Sequence, residues 1–473
     1  MNINSLLSIK YFAAPFALLA LTGCASFTPD SGFGVVEQTV KERVGKEIIW
    51  ARTDTERDGI HSRVNALLAK KLSIEDAVQV ALLNNRGLQA SFFELGISEA
   101  DLVQTGRLSN PRFSMLRTRN NDDYKIEQML TFNVVSLITM PLATQMETRR
   151  FEATQRNVAM DVLRLASETR KAYVLAVAGE ENVRYMTKVK SVADSSAELA
   201  RRMAQVGNWS KLSQAREQGF YADAALNLAR ATQNQVSTRE KLTRLLGLWG
   251  DDAQFTLPER LPDLPDAADE LPNVEQLSMG QRLDVQSMRL ETEAMAKNMG
   301  LTKTTRFINA LEVGPAHVLE GRKSDPYKKG YELSLEIPIF DWGTAKVAKA
   351  ESLYMQSVNR LAEVAVNARS EVREAYQAYR VNYDIAKHYR DEIVPIRKRI
   401  ADENLLRYNG MLIGVFDLLA DARSQIASVN GYIDALRDFW LAKADLDMAM
   451  IGRPNMSAMS GGAMMSAESP RSH

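Results

Sequence analysis

Two carboxylates in the C-terminal third of the chain, Asp417 and Asp421, are spaced so that they could bind a cation together. Residues four apart lie on one face of a helix, so this pair would present two negative charges in the same direction. A ring of such carboxylates around a water-filled opening would attract cations and could bind divalent ions that block conduction. The alternative interpretation is two solvated acids on an ordinary exposed helix face.

The remaining side chains offer little for catalysis. The 473 residues include one cysteine, Cys24, and four histidines far apart in sequence. No disulfide framework, thiolate metal cluster or catalytic constellation is visible, so we expect neither an enzyme nor a cofactor. Soft side chains that could bind Cu(I) occur near the C-terminus, although methionine in such a tail is more often inert. They are Met456, Met459, Met464, Met465 and His473.

The charge balance excludes a broad electrostatic mode of recognition. Lysine plus arginine equals aspartate plus glutamate at 59 each, which gives a formal net charge of zero. Nothing general therefore favours nucleic acid as a partner. Partners must be recognised by shape or by local patches.

The N-terminus predicts export followed by lipid anchoring. An apolar run over residues 11–20 is too short to span a bilayer and fits a secretion signal. Leu21-Thr22-Gly23-Cys24 follows it and matches the bacterial lipoprotein signal, with a generic signal peptide as the alternative. We expect removal of residues 1–23 and acylation of Cys24, and Ala25 fits transfer to the outer membrane. Several acyl chains anchor a protein stably where one would be marginal.

A motif that occurs twice organises the rest of the chain. Gly414 to Gln425 has a degraded copy at Gly207 to Gln218, in which glycine, an aromatic residue and Leu-x-x-Ala-Arg-x-Gln recur without a gap. Each copy predicts a turn that starts a helix, and two copies predict a duplicated unit. Glycine suits such a reversal, and exposed aromatics suit an interface. The candidate tip residues are Gly207, Trp209, Gly410, Gly414 and Phe416.

The helix after each copy carries small or apolar residues at alternating steps of four and three. This mean spacing of 3.5 is the coiled-coil period, and an ordinary amphipathic helix in a bundle is the alternative. The second seam is Val415, Leu419, Ala422, Ile426, Val429, Ile433, Leu436 and Trp440, and the first is Leu212, Ala215, Gly219, Ala222, Leu226, Ala229, Gln233 and Val236.

These patterns predict a mainly α fold with a small β part, in two tandem repeats at residues 73–250 and 274–452. Each repeat reads as a helix, a strand pair, a very long helix, a turn and a long helix. The expected strands are 112–119, 125–135, 304–313 and 330–339, and the last two flank an expected loop with glycine, proline and lysine. An N-terminal arm (24–72), a proline-rich linker (251–273) and a tail expected to be disordered (453–473) complete the chain.

Local signals set the expected helix boundaries. Ser73 should cap a continuous helix that runs to about Gly106, and a second continuous helix should cover 274–299. Pro395 should kink the last long helical stretch before the turn at Gly410. Four strands are too few to close a membrane barrel within one chain, so we expect barrel closure between subunits.

The chain resembles the TolC-like outer-membrane efflux family, in its lipoprotein branch, over about residues 70–452. The resemblance lies in Ile337 to Gly343 at a strand end, in Tyr408-Asn409-Gly410 with Asp417-Leu418-Leu419 at a turn, and in the order of the two units. It implies a homotrimer with a 12-stranded outer-membrane β-barrel that continues as a trimeric α-barrel tunnel in the periplasm. It also implies a periplasmic adaptor and an inner-membrane pump as partners, and an aspartate ring at the aperture.

Two departures from the family pattern affect the first unit. Pro141-Leu142-Ala143 lacks the glycine that follows in the family, and Ser210 stands where the second unit has Asp417. The first tip is therefore expected to contribute less to a charged gate. The alternative function is a lipid-anchored periplasmic coiled-coil adaptor or scaffold, whose strands would sit in compact domains.

Overall fold

The structure, a computed structural model, describes residues 26–308 and 310–454. Cys24 and the candidate metal ligands Met456, Met459, Met464, Met465 and His473 lie outside these ranges. In the described part of the chain, helices dominate and the strands form one sheet, so the predicted mainly α fold with a small β part is confirmed.

The arm contributes two helices, and the first half of the chain then follows the predicted order of elements. The arm helices are α1 (Phe33–Val44) and α2 (Asp54–Leu68). The first half contains α3 (Ile74–Asn84), α4 (Arg86–Thr105), β1 (Arg112–Asn120), β2 (Asp123–Asn133), α5 (Val134–Gln205) and α6 (Lys211–Leu246).

The second half has the same order, with one more interruption near its end. It contains α7 (Val274–Gln281), α8 (Leu283–Thr305), β3 (Leu311–Gly321), β4 (Lys328–Leu335), α9 (Thr344–His388), α10 (Val394–Asn409) and α11 (Val415–Ala449). A π-helical turn, Tyr389–Ile393, joins α9 to α10 directly before Pro395. A kink was predicted at Pro395, and the π-helical turn that the structure shows ends two residues before this proline.

Both helices that were predicted to be continuous are broken at one residue, which corrects the sequence analysis. Ser73 caps α3 as expected, but Asn85 leaves the helical region with φ −69° and ψ 118°. Arg282 does the same between α7 and α8, with φ −66° and ψ 120°. Each break residue donates a side-chain hydrogen bond to a carbonyl near the end of the last helix of its own half: Asn85 to Leu245 O and Arg282 to Ala449 O. The break is thus fixed by tertiary contacts.

The sheet joins the two halves. Its order is β1-β2-β3-β4, with every pair antiparallel and with β2–β3 as the contact between the hairpins. The prediction of a strand at 304–313 was wrong, because α8 continues to Thr305 and β3 begins at Leu311. Gly314 and Pro315, which read as a loop, lie within β3.

Close packing against β2 explains the glycine in β3. A Cβ at Gly314 would lie 1.7 Å from the carbonyl oxygen of Leu130, so no other residue fits beside that strand. Pro315 lacks the N–H that a ladder needs, and the recorded β2–β3 pairing runs from Ala316 directly to Val313. β2 ends at Asn133, whose side chain accepts a hydrogen bond from Ser136 N and starts α5.

The core lies where the arm, the helix pairs and the ends of the long helices meet. Its buried members include Leu82, Phe92, Tyr173, Leu242 and Phe439. The helix α5 is 72 residues long, which corresponds to ~108 Å, and its middle part, from Val158 to Ala178, lies in this core. Packing is sparser toward the turn between α10 and α11, since no residue of α10 is buried. The search for a helix long and apolar enough to span a membrane found none among the described residues.

Candidate functional site

The turn between α5 and α6, which we call the first tip, is held by local hydrogen bonds. Gly207 adopts φ 80°, in the left-handed region predicted for it, and no atom lies within 4 Å of where its Cβ would be. Ser210 caps α6 by accepting a hydrogen bond from Ser213 N at 3.1 Å. The backbone N–H groups of Asn208 and Trp209 donate to Met203 O. The indole of Trp209 is partly exposed at this turn.

The turn between α10 and α11, the second tip, is built differently from the prediction. Gly410 has φ −80°, and Met411 takes the left-handed conformation instead, with φ 59°. Gly414 precedes α11 without any side-chain cap, and Phe416 follows in the first helical turn. Met411 is 93% exposed and Leu412 is 77% exposed, so this tip presents apolar side chains to solvent.

The two candidate aperture carboxylates have different surroundings. Asp417 is exposed in the first turn of α11, where a negative charge is favoured by the helix dipole. Asp421 is half-buried and accepts a hydrogen bond from Asn404 Nδ2 on α10. The carboxylate of Asp421 is therefore turned toward the neighbouring helix of its own hairpin, and the pair is not equivalent.

A buried carboxylate links the two helical hairpins, α5–α6 and α10–α11, about two turns of helix away from the tips. Glu217 on α6 is 1% exposed and accepts hydrogen bonds from Ser196 Oγ on α5, at 2.7 Å, and from Arg423 on α11. The guanidinium of Arg423 also lies 4.5 Å from the ring centre of Phe220. We call Ser196, Glu217, Phe220 and Arg423 the polar latch.

A second contact between the hairpins lies beside the latch. The hydroxyl of Tyr185 on α5 donates to Ile426 O on α11 at 3.1 Å, and burial raises the pKa of Tyr185 to about 12. Neither contact was predicted from the sequence. A signal was present, since Arg423 is the arginine of the repeated motif and Glu217 directly follows its counterpart Arg216.

The four long helices surround a cavity of about 620 Å³ above the latch. Residues of α5, α6, α9 and α11 all line it, so the cavity lies between the two helical hairpins and α9. Gly179 allows α5 and α6 to approach, because a Cβ there would lie 3.3 Å from Gln235 Cα. The polar lining consists of Asn182, Asn234, Glu374, Asn382, Asp434, Arg437, Asp438 and Asp445.

The lining is predominantly acidic, with four carboxylates against the single guanidinium of Arg437. Arg437 pairs with Asp434 at 2.6 Å and with Asp438 at 2.8 Å, while Lys171 pairs with Asp445 at 2.6 Å. Burial raises the pKa values of Asp434 and Asp445. These acids follow one another on one face of α11, a spacing that sequence reasoning could have used. Among the described residues, no group of three or more His, Cys, Asp or Glu side chains could hold a metal ion.

The predicted seam of α6 does not pack within the chain. All eight of its positions, from Leu212 to Val236, are exposed, and α6 instead packs through a face that includes Glu217, Ala224 and Ala231. In α11 the seam is used only in part, since Ile433 and Leu436 are buried. The first seam is therefore an unoccupied apolar stripe along a long helix.

The sheet also carries exposed apolar side chains. Tyr331 on β4 is 84% exposed, and Phe113 on β1 and Leu333 on β4 are largely exposed. The segments that flank the strands continue this surface with Leu137, Ile138, Ile337, Ile339, Phe340 and Trp342. Exposed apolar area of this extent marks contact with lipid or protein.

Comparison with known proteins places this fold. No family model matches the chain. A membrane protein from Pseudomonas aeruginosa is similar in structure with a TM-score of 0.69 and 17% identity, over 80% of this chain and 93% of that one. The CmeC outer membrane channel of Campylobacter jejuni gives 0.68 and 18%, over 80% and 85%. CusC gives 0.67 and 18%, over 80% and 92%.

One curated relative is similar in sequence. The cobalt-zinc-cadmium resistance protein CzcC of Cupriavidus metallidurans is 26% identical over 207 residues, which are 42% of this chain. The match spans about half of that relative, 48% of its length. Together with the shared fold, these similarities confirm the resemblance to TolC-like outer-membrane channels that the motifs indicated.

Proposed function

We propose that this chain is the outer-membrane exit duct of a tripartite efflux system, through which small compounds or ions leave the cell passively. The observation that carries the proposal is a fold shared over 80% of the chain with CusC, described as forming a transmembrane channel, and with the CmeC outer membrane channel. Both of these proteins are described as channels, not as enzymes.

A homotrimer would complete the open surfaces of the single chain. The sheet ends in two unpaired edges, β1 and β4, so β4 of one copy can pair with β1 of the next, and three copies supply twelve strands. The exposed seam of α6 would pack against a neighbouring copy in the same ring. The long helices would then form the wall of a periplasmic tunnel.

The ends of such a tunnel would contact different surroundings. Exposed Phe113, Tyr331 and Phe340 at the sheet would face lipid of the outer membrane, to which an acylated Cys24 would add an anchor. The opposite end carries the tips at Gly207, Trp209, Gly410, Gly414 and Phe416, where exposed Met411 and Leu412 offer an apolar docking surface for a periplasmic adaptor joined to an inner-membrane pump.

The acidic lining favours cations as solutes. Glu374, Asp434, Asp438 and Asp445 face the cavity, and a lumen with excess carboxylate raises the local concentration of positive ions. The relative CzcC carries cobalt, zinc and cadmium resistance in its name. Metal cations are accordingly the first solutes to test.

The alternative function, a periplasmic adaptor, is less well supported. An adaptor would place its strands in compact domains of their own, whereas here the two hairpins pair through β2 and β3 into one sheet beside long helices. An adaptor that stays in the periplasm would also have no use for the exposed aromatic residues of the sheet.

Planar-bilayer recording combined with light scattering tests the proposal. Purified full-length protein in detergent should have the mass of three chains and should produce discrete, cation-preferring conductance steps in a bilayer. A stable monomer that never conducts would exclude the exit duct.

The aperture carboxylates can be tested separately in the same recordings. Asp417→Ala should reduce cation preference and block by multivalent cations more than Asp421→Ala, because Asp421 is held by Asn404. Unchanged selectivity in the double variant would assign both residues to ordinary surface.

A further inference from the structure

A cleft of about 450 Å³ lies where the arm meets the first half, away from the cavity between the long helices. One wall is a single face of α2, which presents Asp54, Arg57, Asp58 and His61 at helical spacing. The other wall is formed by Asn84 and Arg86 at the α3–α4 break and by Trp249 and Asp252 beyond α6. Its volume is within the range of small-molecule sites, about 300–1,000 Å³.

The rim of this cleft holds an indole in an unusual setting. Trp249 is 82% exposed, although burial of a tryptophan ring would ordinarily stabilise the fold. The backbone beside it is tightly fitted, since a Cβ at Gly247 would lie 2.7 Å from Asn84 O, and Asn84 Nδ2 donates to Gly247 O at 2.8 Å. The indole is therefore carried on a rigid support next to the polar walls.

The polar groups of the cleft are only partly used by the protein. Arg57 pairs with Asp54 at 2.7 Å, and His61 approaches Asp252 at 3.8 Å. Within the described residues, Arg86 and Asp58 form no side-chain hydrogen bond or ion pair, and both are exposed. A cation and an anion are thus both available to a ligand beside a flat apolar ring.

We infer that this cleft binds an oligosaccharide of N-acetylated amino sugars that carries carboxylate groups. The apolar face of a sugar ring stacks on an exposed indole, and ring hydroxyls donate to carboxylates and accept from arginine. Arg86 pairs with a sugar carboxylate, which a guanidinium binds through two parallel hydrogen bonds. A free phosphate fits less well, because it has no apolar ring face to stack on the exposed indole of Trp249.

The natural source of such a glycan follows from the proposed function, since a duct that crosses the periplasm passes through the cell-wall polymer. The binding itself does not depend on conduction. The cleft and the cavity share no lining residue, so Trp249→Ala should leave bilayer conductance unchanged. Failure of glycan binding and failure of the exit-duct function are therefore separate results.

Calorimetric titration of the purified full-length protein tests the inference with two probes. One is the disaccharide of N-acetylglucosamine and N-acetylmuramic acid, which carries a carboxylate, and the other is neutral tri-N-acetylchitotriose. Trp249→Ala should weaken binding of both at least tenfold. Arg86→Gln should abolish the preference for the carboxylate-bearing sugar and leave chitotriose binding nearly unchanged.

A matched control is Trp342→Ala, which removes an exposed tryptophan beside the sheet and should not alter either titration. Unchanged thermal unfolding of Trp249→Ala would show that the fold is intact. The inference is overturned if neither sugar binds the wild-type protein, or if both bind Trp249→Ala as well as wild type. If Trp249→Ala loses binding to a protein partner while the wild-type protein binds no sugar, the inference is also overturned and the cleft is a site for protein docking.

Discussion

The two halves of the chain break their first helix at the same place but stabilise the break with different chemistry. In the first half, Asn85 uses a neutral amide to reach Leu245 O and to cap α4 through Leu88 N. In the second half, Arg282 places a guanidinium, 1% exposed, between Asp284 and Glu371 and donates to Ala449 O. The same backbone geometry therefore depends on one hydrogen-bonded amide in one half and on a buried ion cluster in the other.

This difference predicts how the stability of each half should respond to mutation. A neutral hydrogen bond contributes modestly, and its loss leaves no charge behind. A buried ion cluster is weak evidence for net stability, but removal of one member leaves its partners unpaired in a poorly solvated site. The second half should be the more fragile of the two.

The largest effect should therefore come from Arg282→Ala. Asp284 would lose its cation and Glu371 would keep only Arg453, at 3.8 Å, so we expect a loss of about 3–5 kcal/mol in the free energy of unfolding. The matched variant Asn85→Ala should cost about 1–2 kcal/mol. Guanidinium titration of the detergent-solubilised protein, followed by circular dichroism, gives both values. Equal costs for the two variants would contradict the assignment of the ion cluster to the second break.

The latch offers the next test, because it links the well-packed first hairpin to the sparsely packed second one. Glu217→Gln would leave Arg423 without its anionic partner, at an expected cost of about 2–3 kcal/mol. Amide hydrogen exchange in α10 and the first turns of α11 should rise, while α5 and α6 should change little. Glu198→Gln, which alters an exposed carboxylate paired with Arg201 and Arg202, is the control. Protection that falls equally in both hairpins would contradict a specific latch.

The pH dependence of the link between the hairpins follows from Tyr185. Its pKa is raised to about 12, above the ordinary value of 10.0, so the folded chain keeps a proton that the unfolded chain loses. Folding stability from this group is complete below pH ~10 and is lost as the pH rises toward ~12. In Tyr185→Phe, the decrease in the free energy of unfolding between pH ~10 and ~12 should therefore be smaller by about 1–2 kcal/mol.

A tyrosine in the central core provides the comparison. Tyr173 has its pKa raised to about 12 and donates to Leu72 O, away from the second hairpin. Tyr173→Phe should flatten the alkaline loss without altering hydrogen exchange in α11. If Tyr185→Phe and wild type lose stability equally between pH ~10 and ~12, the hydroxyl of Tyr185 does not contribute to the alkaline loss.

Much of this fold could be predicted, because the residue types and the hydrophobic period of most segments favour the structure that the tertiary contacts also require. The cap at Ser73, the hairpins at β1–β2 and β3–β4, and the turns near Gly207 and Gly410 all follow from residue type and period. The breaks at Asn85 and Arg282 could not be predicted, because neither residue is itself a glycine or a proline and the carbonyls to which they donate lie 160 or more residues away. The start of β3 was misplaced because Gly314 and Pro315 read as a loop when a neighbouring strand in fact requires the glycine.

The candidate site was predictable to a smaller extent. The turns were located from the repeated motif, but all positions of the predicted α6 seam are exposed, so the heptad period does not say what packs on that face. The polar latch and the acidic lining depend on which helices become neighbours, and periodicity within one helix does not contain that information.

The smallest expected effect concerns the two tips themselves. Met411 holds φ 59° with a side chain that is 93% exposed, so its left-handed backbone is not offset by packing. A left-handed residue other than glycine costs roughly 1–2 kcal/mol, while glycine loses more chain entropy on folding. Met411→Gly should therefore stabilise the second tip by about 0.5 kcal/mol. The reciprocal Gly207→Met should destabilise the first by about 1 kcal/mol, since open space around Gly207 leaves backbone strain as its only cost. Hydrogen exchange at the two turns measures both changes, and a loss of protection in Met411→Gly would mean that the methionine is held by contacts that the single chain does not supply.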